Sequence, residues 1–317
     1  MAKRNVLIAC PAKPGTQLGN RVTALRWQRH LRALGHRVKI TTDSLTSCDL
    51  LIALHANRSA NLIADSKQTA PNRPIVVGIT GTDLYRDCTL PATQQSLTFA
   101  DRIIVLQPEA KRMLTPQQKN KSRVIYQSIE PVQVQRPHNP RQLRVIVAGH
   151  LRPVKDPFRA AMAVRKLPAD SRIVVHHYGA TLTEAMHRRA TDECVNNARY
   201  AYRGEIPRGE LRRRLASCWL MVLSSKSEGG ANVLGEAIVN HTPVLASRID
   251  GSVGLLGADY DGYFEFGKTK ALQELLLRCE RERDFYQHLV AQVEGQAALF
   301  EPSREREAWH RVLVDLL

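Results

Sequence analysis

Short apolar runs of strand length alternate with helix-period segments along the chain. The alternation pauses once, at a stretch carrying three prolines, and then starts again. In the first half the runs predict strands over 5–9, 37–41, 50–54, 75–80, 102–106 and 123–126, with helical stretches that include 20–34 and 97–100. Strands separated by helices imply right-handed crossovers and a parallel sheet, so the chain is an α/β protein.

Residues 128–142 hold the three prolines and little apolar periodicity, and are predicted to be a linker. Beyond it, strands are expected at 143–148, 172–176, 200–203, 220–223 and 243–246, with helices at 156–166, 183–196, 208–216 and 233–240. The expectation is two Rossmann-like halves, 1–130 and 143–299, facing across a cleft that takes the ligand. In the tail, 300–317, a further helix puts Trp309, Val312, Leu313 and Leu316 on one side. It either caps the second half or crosses back to the first; periodicity does not choose.

The 317 residues and 43% hydrophobic content suffice for two medium domains, and aromatics at 5% make the core aliphatic. No apolar run approaches the ~18 residues of a membrane span. A basic start precedes the apolar stretch 6–10, which is shorter than a signal-peptide core and ends at Pro11, so it reads as a buried first strand. Six scattered cysteines without a CxxC pair read as reduced thiols, which predicts a cytoplasmic protein with no metal site.

The net charge of +16 invites a nucleic-acid partner. No nucleic-acid module accompanies the charge, and the arginines of 208–214 fit a solvated helix face. A nucleic-acid partner is therefore not expected. The same charge suits an enzyme that handles a diphosphate donor and an anionic acceptor.

The most informative stretch runs from Leu223 to Ala237: a strand end, a glycine-rich turn and a helix starting near Asn232. Its helix N-terminus offers free N–H groups to a phosphate, and Gly229 and Gly230 let a ligand approach the backbone. Glu228 lies ahead of that helix and Glu236 one turn inside it, so both can face one ligand. A second stretch, 147–157, follows the first strand of the second half. There Arg152 and Lys155 could stabilise negative charge developing on a leaving group.

These two stretches resemble the family 4-like GT-B glycosyltransferases, which carry a glycine-arginine-leucine…lysine loop and a Glu-x7-Glu element. Gly149, Leu151 and Lys155 fit the first; Glu228 and Glu236 fit the second. The resemblance implies that Lys155 binds donor phosphates, Glu236 the ribose and Glu228 the transferred sugar, and that 202–206, with Arg203, Glu205 and Ile206, lines the base. It also sets Gly19, His150, Ala231 and Val233 beside the donor. His150 stands where the family has arginine, and Arg152 is expected to take that phosphate role. The family's His-Gly-x-Asp acceptor segment reads Thr80-Gly81-Thr82-Asp83.

Those departures, with the strings 19–27, 53–56, 80–86, 124–128, 149–157, 228–233 and 247–260, resemble a narrower group: the selenosugar synthases of selenoneine biosynthesis (SenB type). The resemblance implies transfer of selenium from selenophosphate to the anomeric carbon of a UDP-sugar, typically UDP-N-acetylglucosamine. The substrates would be those two small molecules, with no cofactor, and a reactive selenol product leaves open a hand-over to the next enzyme. An anionic selenium nucleophile needs no base; it needs an anion pocket. Asn20, Arg21, Arg26, Thr80, Thr82 and Arg86 are the candidates for it. His55 and Asp83 are the candidate bases for any later hydrolysis of the phosphorus–selenium bond. A hydroxyl-acceptor glycosyltransferase is the alternative.

Overall fold

The computed structural model describes residues 2–16, 18–135 and 141–317. It divides into two compact units, Met1–Ser128 with Leu299–Leu317, and Ile129–Ala298. Of the expected linker, residues 136–140 lie outside the described residues.

The first unit is built on six strands: β1 (Asn5–Ala9), β2 (Arg37–Thr41), β3 (Leu50–Leu54), β4 (Ile75–Gly78), β5 (Arg102–Val105) and β6 (Ser122–Val124). They pair in the order β2-β1-β3-β4-β5-β6, all parallel. Helices on both faces leave the central strands without solvent, which explains why β3 reads Leu-Leu-Ile-Ala-Leu with every residue buried. From β1 the chain goes outward to β2 and returns to the far side of β1 as β3. The strand order therefore reverses between β1 and β3, and loops leaving their carboxyl ends border a crevice.

The helix Gly19–Ala33 buries Ala24, Trp27 and Leu31 against this sheet. Gly78 makes room for the indole: a Cβ there would stand 2.6 Å from Trp27 Cη2. The final helix, Pro302–Val314, belongs to this unit too. Trp309 meets Trp27 edge-to-face with ring centroids 4.8 Å apart, and Val312 and Leu313 share that core. Both Arg102 and Arg123 reach Asp315 at 3.3 Å.

The second unit repeats the plan with β7 (Leu143–Ala148), β8 (Ile173–Tyr178), β9 (Tyr200–Tyr202), β10 (Leu220–Leu223), β11 (Val244–Ser247) and β12 (Tyr263–Phe264), ordered β12-β11-β10-β7-β8-β9. Its order reverses between β7 and β10, which pair directly. β12 has two residues and no apolar run, so nothing in the sequence announces it.

On β8, residue 177 is a fully buried histidine standing edge-on to Tyr200 and Tyr202. A carbonyl can only accept, so Nε2 carries the proton and donates to Gly149 O (3.2 Å), while Nδ1 accepts from the Tyr200 hydroxyl (3.0 Å). Burial lowers the pKa of His177 to about 4, and only its bond to Gly149 opposes this. The unfolded chain, titrating near 6.5, therefore takes up the proton first as pH falls. This contribution to stability is complete above pH 6.5 and is lost as pH falls toward 4, for about 3 kcal/mol in all. Urea midpoints at pH 7.5 and 4.5 should diverge in the wild type, and His177→Gln should remove most of its share of that divergence.

Candidate active site

The loops after β7 and β10 lie side by side because those two strands are neighbours at the reversal of strand order. Three contacts hold them together. Lys226 N–H donates to Val154 O (2.8 Å), Ser224 Oγ donates to Asp156 O (2.9 Å), and Lys155 Nζ forms an ion pair with Glu228 Oε1. Ser225 Oγ donates to the same carboxylate oxygen at 2.6 Å. Asp156 takes the left-handed conformation (φ 45°) directly after Lys155 and is held by Arg159 at 2.7 Å.

Two glycines on other elements fit tightly against this pair of loops. A Cβ on Gly251 would come within 2.1 Å of the Glu228 carbonyl, and one on Gly179 within 2.1 Å of the Gly149 carbonyl. Ser247 Oγ donates to Ser225 O at 2.5 Å. Backbone on three sides thus sets where Lys155 and Glu228 sit.

The glycine turn leads into the helix Asn232–Val239, whose N-cap, Ala231, offers no side chain to its first N–H groups. No acidic residue lies in its first turn, so no carboxylate of the helix itself offsets the positive end of its dipole. Glu236 is buried on this helix and takes two hydrogen bonds from Arg208, the first residue of the helix Arg208–Ser217. Neither arginine contact to Glu236, from Arg208 or from Arg212 at 4.0 Å, was expected from the sequence. The spacing of a basic helix does not reveal which carboxylate it faces.

Around this centre, Arg152 is half-buried with no ion pair to a described residue, which leaves its charge available. His150 has turned its ring onto the next loop, where Nδ1 accepts from Ala180 N–H at 3.1 Å. Arg203 and Glu205 are exposed and Ile206 half-buried, on the turn made by Gly204 (φ 69°) after β9.

The first unit brings a different set together. His55 follows β3 with a left-handed backbone (φ 70°), a conformation uncommon for residues other than glycine. Arg58 N–H donates to its Nδ1 (3.3 Å), so the ring proton lies on Nε2 and goes to Thr82 Oγ1 at 2.7 Å. Burial depresses the His55 pKa, opposed by the Asp83 carboxylate 3.9 Å away. Asp83 is itself buried. It accepts from Ala56 N–H (2.9 Å), Thr80 N–H (3.0 Å) and Gly81 N–H (2.9 Å), and ties the loops after β3 and β4 together.

The helix Gly19–Ala33, with Gly19 and Asn20 in its first turn, likewise starts without a side-chain cap or an acidic residue. Arg21 is half-buried near Cys10, whose thiol pKa rises through burial against the lowering influence of Arg21. Arg86 is exposed and bound to Asp87 at 2.7 Å. Arg26 differs from the other expected anion ligands. It is 7% exposed and its guanidinium goes to Gln127, which also accepts from Thr23 Oγ1 at 2.8 Å. It supports the core under the loop and does not line its surface.

Two doubly wound parallel sheets, one with a lysine–glutamate pair beside the start of a helix, define the class: a GT-B fold of two Rossmann-like units. Residues 128–295 match the family model of glycosyl transferases group 1. That is more than half of the chain, and the chain belongs to this family. The Anabaena protein HepE, solved in complex with UDP-glucose, superposes with a TM-score of 0.79 at 14% identity, covering 99% of this chain and 100% of that one. Sucrose-phosphate synthase from Thermosynechococcus elongatus gives 0.79 at 14% identity, over 99% of each chain. The S. aureus TarM variant solved with UDP gives 0.62 at 15% identity, over 83% of this chain and 55% of that one. Identities this low establish the shared fold. No helix of the described residues is long and apolar enough to cross a membrane.

Proposed function

We propose that this glycosyltransferase joins selenophosphate to the anomeric carbon of a UDP-sugar, with UDP-N-acetylglucosamine as the principal donor. Selenium attacks the anomeric carbon, the carbon–selenium bond forms, and UDP leaves with the electron pair of the broken carbon–oxygen bond. Water then cleaves the phosphorus–selenium bond to give phosphate and a selenosugar. In this reading Lys155, Arg152 and the N-terminus of Asn232–Val239 receive the charge developing on UDP without a metal. Glu228 holds the transferred sugar, Glu236 the ribose, and 203–206 the base. The setting is the cytoplasm, which suits six free thiols.

One observation carries the anionic acceptor. The two candidate bases are already engaged: His55 Nδ1 accepts from Arg58 N–H and its Nε2 bears the proton, while the Asp83 carboxylate accepts three backbone N–H groups. A hydroxyl nucleophile needs a base within reach, whereas an already anionic selenium does not. What the first unit offers an anion is a helix start without a side-chain cap and Arg21, with the hydroxyls of Thr80 and Thr82; Arg86 would have to leave Asp87 to join them.

The test is incubation with UDP-N-acetylglucosamine and selenophosphate, followed by mass spectrometry. A product with the selenium isotope pattern and the mass of a selenosugar is expected, with UDP released in equal amount. Transfer to a hydroxyl acceptor with no selenium product would replace this proposal with an ordinary group 1 glycosyltransferase.

A further inference from the structure

Glu236 presents a problem of electrostatics. A buried carboxylate beside a diphosphate repels it, and a carboxylate free to rotate costs entropy to aim. The second unit answers both through the helix Arg208–Ser217. Arg208 Nη2 and Nε reach Glu236 Oε1 at 2.8 and 3.2 Å, and Arg212, one turn on, lies 4.0 Å from the same oxygen. Arg212 is in turn anchored by donating to the Glu130 carbonyl. Every side-chain contact falls on Oε1, so Oε2 has no hydrogen bond to a described residue.

We propose that Arg208, backed by Arg212, is a positioning residue for the nucleotide ribose: it clamps one oxygen of Glu236 and aims the other at the sugar hydroxyls. The proposal rests on the assignment of Glu236 to the ribose. The guanidinium cancels the repulsion between carboxylate and diphosphate, and holding Oε1 removes the rotation that would blunt the second oxygen. A ribose with its two adjacent hydroxyls would gain from this geometry. A nucleotide lacking them would not.

The experiment compares binding of UDP and 2′,3′-dideoxy-UDP to the wild type, Arg208→Ala and Arg208→Lys by calorimetry, with thermal midpoints as the folding control. Arg208→Ala should weaken UDP about tenfold, the scale of one charge-assisted hydrogen bond. It should weaken dideoxy-UDP by less than about twofold. Arg208→Lys keeps the stem and charge, so it serves if the alanine variant folds poorly, and it should recover part of the UDP affinity alone. Equal weakening of both nucleotides by either variant would reduce Arg208 to a structural role and overturn the proposal. A wild type that binds both nucleotides equally would instead remove Glu236 from the ribose, and one that binds neither would remove the UDP-sugar reading itself.

Discussion

Lys155→Ala is expected to lower UDP-sugar turnover by about 10²–10³-fold, the loss seen when one preorganised group that stabilises transition-state charge is removed. The effect should fall on kcat more than on KM, since negative charge on UDP grows as the sugar bond breaks. The thermal midpoint should move by only a few degrees. The lysine is partly exposed, and Ser225 continues to donate to Glu228 after its ion pair is lost. Turnover close to the wild type would reject the donor-site assignment. Glu228→Ala in the same background separates the two roles. If Lys155 acts only by holding Glu228 in place, the double variant will be no worse than Glu228→Ala alone.

The largest effect on stability should come from Trp309→Ala. This indole is fully buried and packs edge-to-face on Trp27, which itself lies over Gly78. Truncating a buried tryptophan costs about 3–5 kcal/mol in lost transfer energy and cavity formation. The loss should appear in the first unit, because Pro302–Val314 packs within it and its Glu305 accepts from Ser128 N–H at 2.6 Å. Hydrogen exchange should show strands β1 and β3 losing protection while β7 and β10 keep theirs. Exchange rising equally in both sheets would contradict that placement.

Much of the candidate donor site could be read from the chain because its parts are local. A strand end, two glycines and a helix start occupy consecutive positions, and Glu228 and Glu236 lie within that one element. Strand β1 matched its sequence-predicted bounds for the same reason: its apolar run is buried on both faces by whatever helices follow. The short strand β12 has no such run and was not foreseen.

Side-chain pairing was the hidden part. Lys155 and Glu228 are 73 positions apart, and only the adjacency of β7 and β10 makes them partners. Arg208 reads as a solvated helix arginine until the structure sets it on Glu236. His55 and Asp83 read as candidate bases in the sequence, and only the fold shows that both accept N–H groups of neighbouring loops. The destination of the last helix was open because its apolar stripe fits any apolar face. Local pattern, by itself, determined the elements and the kind of site at their ends, since propensity and burial period act over a few residues. Tertiary structure decided which loops meet, which charges are already matched and which remain for a ligand. Those contacts form between segments brought together by strand order, and strand order leaves no mark on the local sequence.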